Sequence, residues 1–563
     1  MKYLKFLISL NKKSTLVLVI FFLTVSTFLE YTFVAAVPLL LNTIFNNDSI
    51  SAFLPFYGMI DRQTLLKHVL ILILSLFFLK NIFYFLNQFF ILRYSFNLHN
   101  NLSRLLFSKY LNNNYLIFIN SKTSDLLRNV KDNTDLIRQL VTNSLTFFSE
   151  VLVFMGLCFI IIYNSSLISI FSIIFIILFS CIYLYYSRNL SKSWSEKRQS
   201  YESSKIQSLQ EGFDGFKELK LFNKENLYIN NYSEKNMNSN IMNLRFNLLY
   251  LFPRVYLELV GALGVVVLVI FNVKQGNKDI FLSTIPLLGL YFVAFIRILP
   301  SVNRILNSIE THRFASLALK IVYKDLRSVK SKNISSIQQN IYFNKKVEFK
   351  NIYFSFIKNK NIFNNVNFEI KYKEKIGIVG ESGIGKTTLV NLISGLLEPT
   401  KGSILSDGID VRKNIKGWQS NIGYIYQSTF LMNDTVENNI SFNAIKNNLH
   451  YKKISQIIKL IKLNNLINKL PKGLDTIVGD DGAKLSGGQI QRIGIARALY
   501  SDRKLLICDE ITNSLDAISE NSVINCLKNL DKSIIIISHK MKNLDFCSKI
   551  YEIKNNKLFL IKK

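Results

Sequence analysis

The 563-residue chain is short of cysteine and of acidic residues, and each shortage argues against a class of protein. Its five cysteines, Cys158, Cys181, Cys508, Cys526 and Cys547, form no CxxC pair and no metal-ligand spacing. That argues against a disulfide framework and fits a reducing compartment. Acidic residues number 38 against 69 basic ones, a formal net charge of +31. In a soluble protein this excess would suggest nucleic acid. Here Lys and Arg are scattered between apolar runs with much Asn and Ile, so the charge reads as compositional bias plus cytoplasmic loops, with no nucleic-acid partner. A small-residue cleavage site is also missing after the first apolar run, from about Thr15 to Phe45. That run is too long for a signal-peptide core and is expected to remain in the membrane as a helix.

What the chain does have is apolar length. Six segments of spanning length can be drawn, roughly 15–42, 65–96, 141–163, 166–187, 246–273 and 279–301. The third and fourth are joined by "NSS", which predicts a tight helical hairpin. Among the connections between spans, the long polar ones after the second and fourth carry most of the Lys and Arg, whereas the others carry few. The positive-inside rule therefore puts both termini and these connections in the cytoplasm of a multi-pass protein, with helices extending beyond the bilayer. On the outer side, "NNDSISAFLPFYGMIDRQT" (47–64) is either a short interfacial helix or a partly ordered loop.

From about residue 344 the pattern changes to short β-rich pieces such as "KIGIVG" and "KLLICDE", alternating with helical ones, the mark of an α/β domain. The expected architecture is a membrane α-helical bundle over 1–325, a linker over 326–343 and a C-terminal α/β P-loop ATPase domain over 344–563. "GESGIGKTT", Gly380 to Thr388, fits the phosphate-loop template between an apolar strand and a helix. Gly380, Glu381, Ser382, Gly383 and Gly385 would present backbone N–H groups to phosphate oxygens, with Thr388 just beyond. Lys386 would reach the β/γ-phosphates of ATP and Thr387 a Mg²⁺ ion. "KLLICDE" ends in Asp509, suited to metal coordination, and Glu510, placed to polarise an attacking water.

"LSGGQIQRIGIARAL", from Leu485, resembles the signature of the ATP-binding-cassette family, and the other cassette elements follow in that family's order. The resemblance implies that Phe356 stacks on adenine and that Gln427 senses metal and γ-phosphate. It also implies that Ser486, Gly487, Gly488 and Gln489 contact the nucleotide, that Asp516 forms the D-loop and that His539 meets the γ-phosphate. "TIVGDDG" (476–482) resembles the loop of exporter-type cassettes, with Asp480 in place of the commoner Glu. In this family one cassette's signature serves another's phosphate loop, so a chain with six spans and one cassette implies half a transporter. With Glu510 and the signature intact, the implied partner is a second copy of itself. "EGFDGFKELKLFNKE" (211–225) resembles the coupling segment of type IV exporters, with Phe213, Phe216 and Leu219 on one side of a short helix.

Three bases lie within spans, Lys80, Arg254 and Arg297, along with the acids Glu30, Glu150 and Glu258. Snorkelling to a head group or an internal salt bridge would account for each base singly. Together, on three helices, they suggest a cavity for an anion, because desolvated Arg and Lys hold phosphate oxygens well. "FPRVYLELVG" and "RILPSVNRIL" resemble the bacterial flippases of lipid-linked oligosaccharide that serve protein N-glycosylation. That resemblance implies an inner-membrane ATPase moving a polyprenyl-diphosphate-linked glycan outward, with Arg254, Arg297 and Lys80 handling the diphosphate. Alternatives with the same machine are lipid A core, another glycolipid, a drug or a peptide; no peptidase domain precedes the first span, which speaks against a processing peptide exporter. An ATP-regulated channel or sensor is a further alternative, against which the intact Glu510 argues.

Overall fold

The computed structural model describes residues 2–45, 62–164, 167–273, 278–328, 341–357, 360–442, 444–445, 447–479, 485–511 and 517–562. Most of the outer segment, most of the linker, residues 165–166 of "NSS", Asp480 and Asp516 lie outside them. The chain divides into two compact units, Met1–Asn113 with Phe118–Lys330, and Asn114–Ile117 with Ser331–Lys563.

The first unit is built on six long helices: α1 (Lys13–Phe45), α2 (Arg62–Leu111), α3 (Thr134–Asn164), α4 (Leu167–Asp214), α5 (Glu225–Val273) and α6 (Lys278–Ser328). Among the described residues, five of them contain stretches long and apolar enough to cross a membrane; α5, where the fifth span was drawn, is not among the five. The 50 residues of α2 would extend ~75 Å, well past a hydrocarbon core of ~30 Å, so part of the helix must lie outside it. Its buried residues Ile91, Tyr94, Leu98, Leu102 and Leu106 recur every three to four positions and join Ile137, Leu140, Ala315, Leu319 and Val322 in one core. Its other faces carry exposed Ile71, Phe78, Ile82 and Phe85, as a lipid-facing surface requires. Ser26, Ser95, Ser180 and Ser301 bond back to carbonyls three or four residues earlier, so their hydroxyls are satisfied within their own helices. Gly156 lets α3 approach α1 closely: a Cβ there would lie 2.2 Å from Tyr31 Cε1. The Tyr31 hydroxyl donates to the Leu152 carbonyl one turn away.

The expected coupling segment is divided: its first residues, Phe213 among them, end α4, and Phe216–Leu221 forms a separate short helix carrying Phe216 and Leu219. Phe213, Phe216, Leu221 and Phe222 are all exposed. Residues 114–117 of the first polar connection group with the second unit, where Tyr115 and Leu116 pack against its core.

The second unit is α/β. Its strands are β1 (Lys346–Ile357), β2 (Lys360–Lys371), β3 (Lys375–Val379), β4 (Lys401–Ser406), β5 (Ile409–Asp410), β6 (Ile422–Ile425), β7 (Asp434–Thr435), β8 (Ile477–Val478), β9 (Leu505–Asp509), β10 (Ser533–Ile537), β11 (Lys549–Lys554) and β12 (Lys557–Lys562). A six-stranded sheet runs β12-β11-β3-β10-β9-β6, and a four-stranded antiparallel sheet runs β2-β1-β4-β5. From β11 to β6 every pairing is parallel. All ten residues of β9 and β10 are buried, which is why "LLICD" and "SIIII" are continuous rather than alternating apolar runs. Trp418, fully buried, donates its indole N–H to the Ile393 carbonyl at 2.8 Å and so ties the core to the end of the helix after the phosphate loop.

Candidate functional site

Parallel pairing puts the carboxyl ends of β3, β9 and β10 side by side, and each carries a residue expected to act on nucleotide. After β3 the phosphate loop turns into helix α7 (Lys386–Ile393). Gly385 caps α7 with φ 111°, and a Cβ there would lie 2.8 Å from Ile362 Cγ2, so only glycine fits. Lys386 is buried, and its Nζ donates to the carbonyls of Gly380 (2.9 Å) and Glu381 (3.2 Å) inside the loop. The same Nζ lies 3.1 Å from His539 Nε2 and 3.7 Å from Glu510 Oε1.

Glu510 follows β9 in the left-handed region, φ 50°, with its N–H bonded to the Ile537 carbonyl of β10. Its Oε1 lies 2.8 Å from His539 Nε2, and its Oε2 accepts from Gln427 Nε2 at 3.0 Å. Three residues expected from the sequence, Lys386, Gln427 and His539, thus meet around the carboxylate of a fourth, Glu510. Asp509, at the tip of β9, accepts from the Tyr424 hydroxyl at 3.0 Å. Burial holds the Asp509 carboxyl above the usual range, with the neighbouring Glu510 charge adding to it and Tyr424 and Lys386 opposing. Burial also raises the Tyr424 hydroxyl, reinforced by Asp509.

Thr387 is exposed at the first turn of α7, as are Glu381, Ser382 and Gly383 in the loop, while Thr388 is partly buried. Among the described residues no cluster of three or more His, Cys, Asp or Glu side chains could enclose a metal. The oxygen donors of Thr387, Gln427 and Asp509 do suit Mg²⁺, which normally shares phosphate oxygens and water rather than filling a protein cage. Phe356 lies on β1, exposed and edge-on to Phe354.

Ser486 caps helix α8 (Gly487–Tyr500) in a capping box: its hydroxyl accepts from Gln489 N–H, and Gln489 Oε1 accepts from Ser486 N–H. Ser486 and Gly487 are exposed and Gly488 is partly so, leaving the helix N-terminus open to an anion. Buried Gln491 donates to the Tyr426 carbonyl, joining α8 to the strand that leads to Gln427.

In the membrane unit the basic residues separate into two groups. Lys80 and Arg297 both bind Glu30 Oε1, at 3.3 and 2.6 Å. Arg254 instead pairs with Glu258 one turn on, at 2.9 Å, with both side chains more than 60% exposed. Tyr424, Tyr84 and Arg304 are part of these arrangements but were not expected from the sequence. Arg304 binds Glu150 at 2.8 Å and donates to the Tyr84 hydroxyl at 3.2 Å. The only hint lay in Arg304 following Arg297 at i+7 on one helical face.

Two family models match the chain: "ABC transporter" over residues 363–513 and "ABC transporter transmembrane region" over 16–275. The fold is therefore a transmembrane helical domain joined to an ABC ATPase domain. An ATP-dependent lipid A-core flippase of Desulfotalea psychrophila is 39% identical over 219 residues, 38% of each chain. Another, of Syntrophus aciditrophicus, is 33% identical over 298 residues, 51% of this chain and 48% of the relative. The mitochondrial iron-sulfur clusters transporter ATM1 of Kluyveromyces lactis is 36% identical over 214 residues, 37% of this chain and 29% of the relative. The matches thus span less than half the length of these relatives. A solved bacterial Atm1-family ABC exporter with ATP bound superposes with a TM-score of 0.81 over 97% of this chain and 94% of that one, at 18% identity, a likeness of fold.

Proposed function

We propose that the chain is one half of a homodimeric ATP-driven exporter of an anionic glycolipid, moving its head group from the cytoplasmic to the outer leaflet of a bacterial inner membrane. The observation that carries the ATPase reading is the convergence of Lys386, Gln427 and His539 on Glu510 at the end of the parallel sheet. In this reading Phe356 stacks on adenine, the loop from Gly380 to Thr388 and Lys386 grip the phosphates, and Ser486, Gly487, Gly488 and Gln489 come from the second copy. Glu510 polarises the attacking water and His539 positions it against the γ-phosphate. Thr387, Gln427 and Asp509 would hold Mg²⁺, which neutralises phosphate charge when bound. The short helix Phe216–Leu221, with Phe216 and Leu221 exposed, is the surface through which cassette closure would be passed to the membrane helices, giving alternating access.

For the cargo we favour a polyprenyl-diphosphate-linked oligosaccharide, with Lys80, Arg254 and Arg297 as its phosphate ligands. Arg254, exposed beside Pro253 in α5, is open to such a group, and Lys80 and Arg297 lie together on Glu30. A lipid A-core glycolipid is the second reading, favoured by the names of two relatives. Reconstitution with fluorescent lipid-linked oligosaccharide, scoring ATP-dependent loss of inner-leaflet label, decides between them. Flipping of the oligosaccharide, abolished when Lys80, Arg254 and Arg297 are neutralised together, supports the first; flipping of lipid A core alone selects the second.

A further inference from the structure

Four membrane helices bring five charges into one connected group. Glu30 on α1 takes Lys80 of α2 and Arg297 of α6 on a single oxygen, at 3.3 and 2.6 Å. Glu150 on α3 lies 3.7 Å from Arg297 and 2.8 Å from Arg304. The two carboxylates are almost sealed from solvent, their side chains 6% and 4% exposed, while Lys80 and Arg297 keep 16%. Three bases against two acids leave one net positive charge. Asn87, seven residues beyond Lys80 and three beyond Tyr84 on the same face of α2, is 1% exposed with neither amide atom hydrogen-bonded.

A buried cation left without a counter-charge is strongly destabilising. Bases that receive an anion in the membrane therefore need a resident partner between cargoes, and one that lets go when cargo arrives. A carboxylate is suited to this, because it offers a guanidinium the same pair of acceptor oxygens as a phosphate. Glu30 sits on a different helix from either of its bases, so exchange can occur without unwinding either one. Glu150, itself paired with Arg304, faces Arg297 from its other side.

We propose that Glu30 is a resident counter-ion for Lys80 and Arg297, and that displacing it sets specificity for multiply charged phosphate head groups. This rests on the anionic-cargo reading above. An anion gains by displacing Glu30 only as far as its charge and acceptor oxygens exceed those of one carboxylate, so a diphosphate displaces it more readily than a monophosphate. Glu150 fixes the direction in which Arg297 presents its guanidinium and acts as a positioning residue.

The test uses the full chain in proteoliposomes, with polyprenyl diphosphate and polyprenyl monophosphate as probes and the concentration for half-maximal ATPase stimulation as readout. In Glu30→Gln the monophosphate concentration should fall about tenfold, the scale of one lost charge-assisted contact, and the diphosphate concentration less. Glu30→Asp should restore the wild-type ratio. If Glu30→Gln fails to assemble, Glu30→Gln with Lys80→Met removes one charge of each sign and carries the same expectation at Arg297. An unchanged ratio, or equal weakening of both probes, overturns the proposal. Should both polyprenyl lipids be inert while a bisphosphorylated lipid A-type glycolipid stimulates at lower concentration in Glu30→Gln, the oligosaccharide assignment falls and the counter-ion role stands. If no anionic lipid stimulates either protein, both fall.

Discussion

His539 and Glu510, 29 residues apart in the chain, meet at 2.8 Å between Nε2 and Oε1. With Gln427 on the other carboxylate oxygen and Lys386 behind, both oxygens of Glu510 are engaged. Each oxygen keeps a second lone pair, so in the proposed role Glu510 can accept from a water while holding these partners.

Glu510→Gln keeps the size and the possible hydrogen bonds of the side chain but removes its basicity. Turnover should fall by ~10²–10⁴, the usual weight of a general base, while ATP binding persists. ATPase rates beside nucleotide-trapping measurements check this, and sustained hydrolysis would remove the role assigned to Glu510.

Asp509 makes a prediction of opposite sign for stability. Its carboxyl is held above the ordinary value of ~3.9, chiefly by burial. The folded state therefore binds that proton more tightly than the unfolded state. The associated stability is complete below the ordinary pKa and is lost as pH rises through the raised one. At neutral pH the wild type bears the cost of a buried charge that Asp509→Asn avoids. Without nucleotide, the cassette melting transition of Asp509→Asn should lie higher by roughly 2–4 °C at pH 7, the gap closing towards pH 4. With Mg²⁺ and ATP the order should reverse, because only the wild type gains full ligand stabilisation. Thermal melts across pH decide it; an Asp509→Asn protein less stable than wild type without nucleotide contradicts the sign.

Gly156 and Tyr31 make a steric prediction in the membrane unit. A methyl at Gly156 would overlap the Tyr31 ring, 2.2 Å from Cε1, so Gly156→Ala should destabilise by ~1–3 kcal/mol, as overpacking does. Tyr31→Leu in the same chain should recover much of the loss, giving a clear coupling energy in a double-mutant cycle. Additive losses, measured by thermal denaturation in detergent, would show that the ring moves aside without cost.

The nucleotide site was legible in the sequence because its motifs follow apolar strands. Lys386, Glu510 and His539 follow β3, β9 and β10, which pair in parallel, so a motif at each strand end means proximity at one sheet edge. Tyr424 beneath Asp509 was not legible, since a tyrosine in "IGYIYQ" reads equally well as core. Arg254 and Glu258 are four residues apart on one helix, so their pairing needs nothing beyond helical spacing. Glu30, Lys80 and Arg297 could each be named as intramembrane charges, but not as partners. Spans that are apolar on nearly every side give no helical phase, and 217 residues separate Lys80 from Arg297.

Two copies acting together can be tested without knowing the cargo. Lys386→Ala disables the phosphate loop of a chain, and Ser486→Arg blocks the open N-terminus of α8 in its signature. A homodimer of either variant has no intact site if ATP lies between the loop of one copy and the signature of the other. A mixed dimer has one fully disabled site and one fully intact site, made from the loop of the Ser486→Arg chain and the signature of the Lys386→Ala chain. Co-expressing the two with different affinity tags and purifying through both should therefore restore ATPase activity absent from either variant alone. Loss of the Ser486 cap costs ~1 kcal/mol of helix stability, so folding of that variant is checked first by melting. If each chain worked through its own loop and signature, the mixed dimer would contain no intact site and would stay as inactive as its parents.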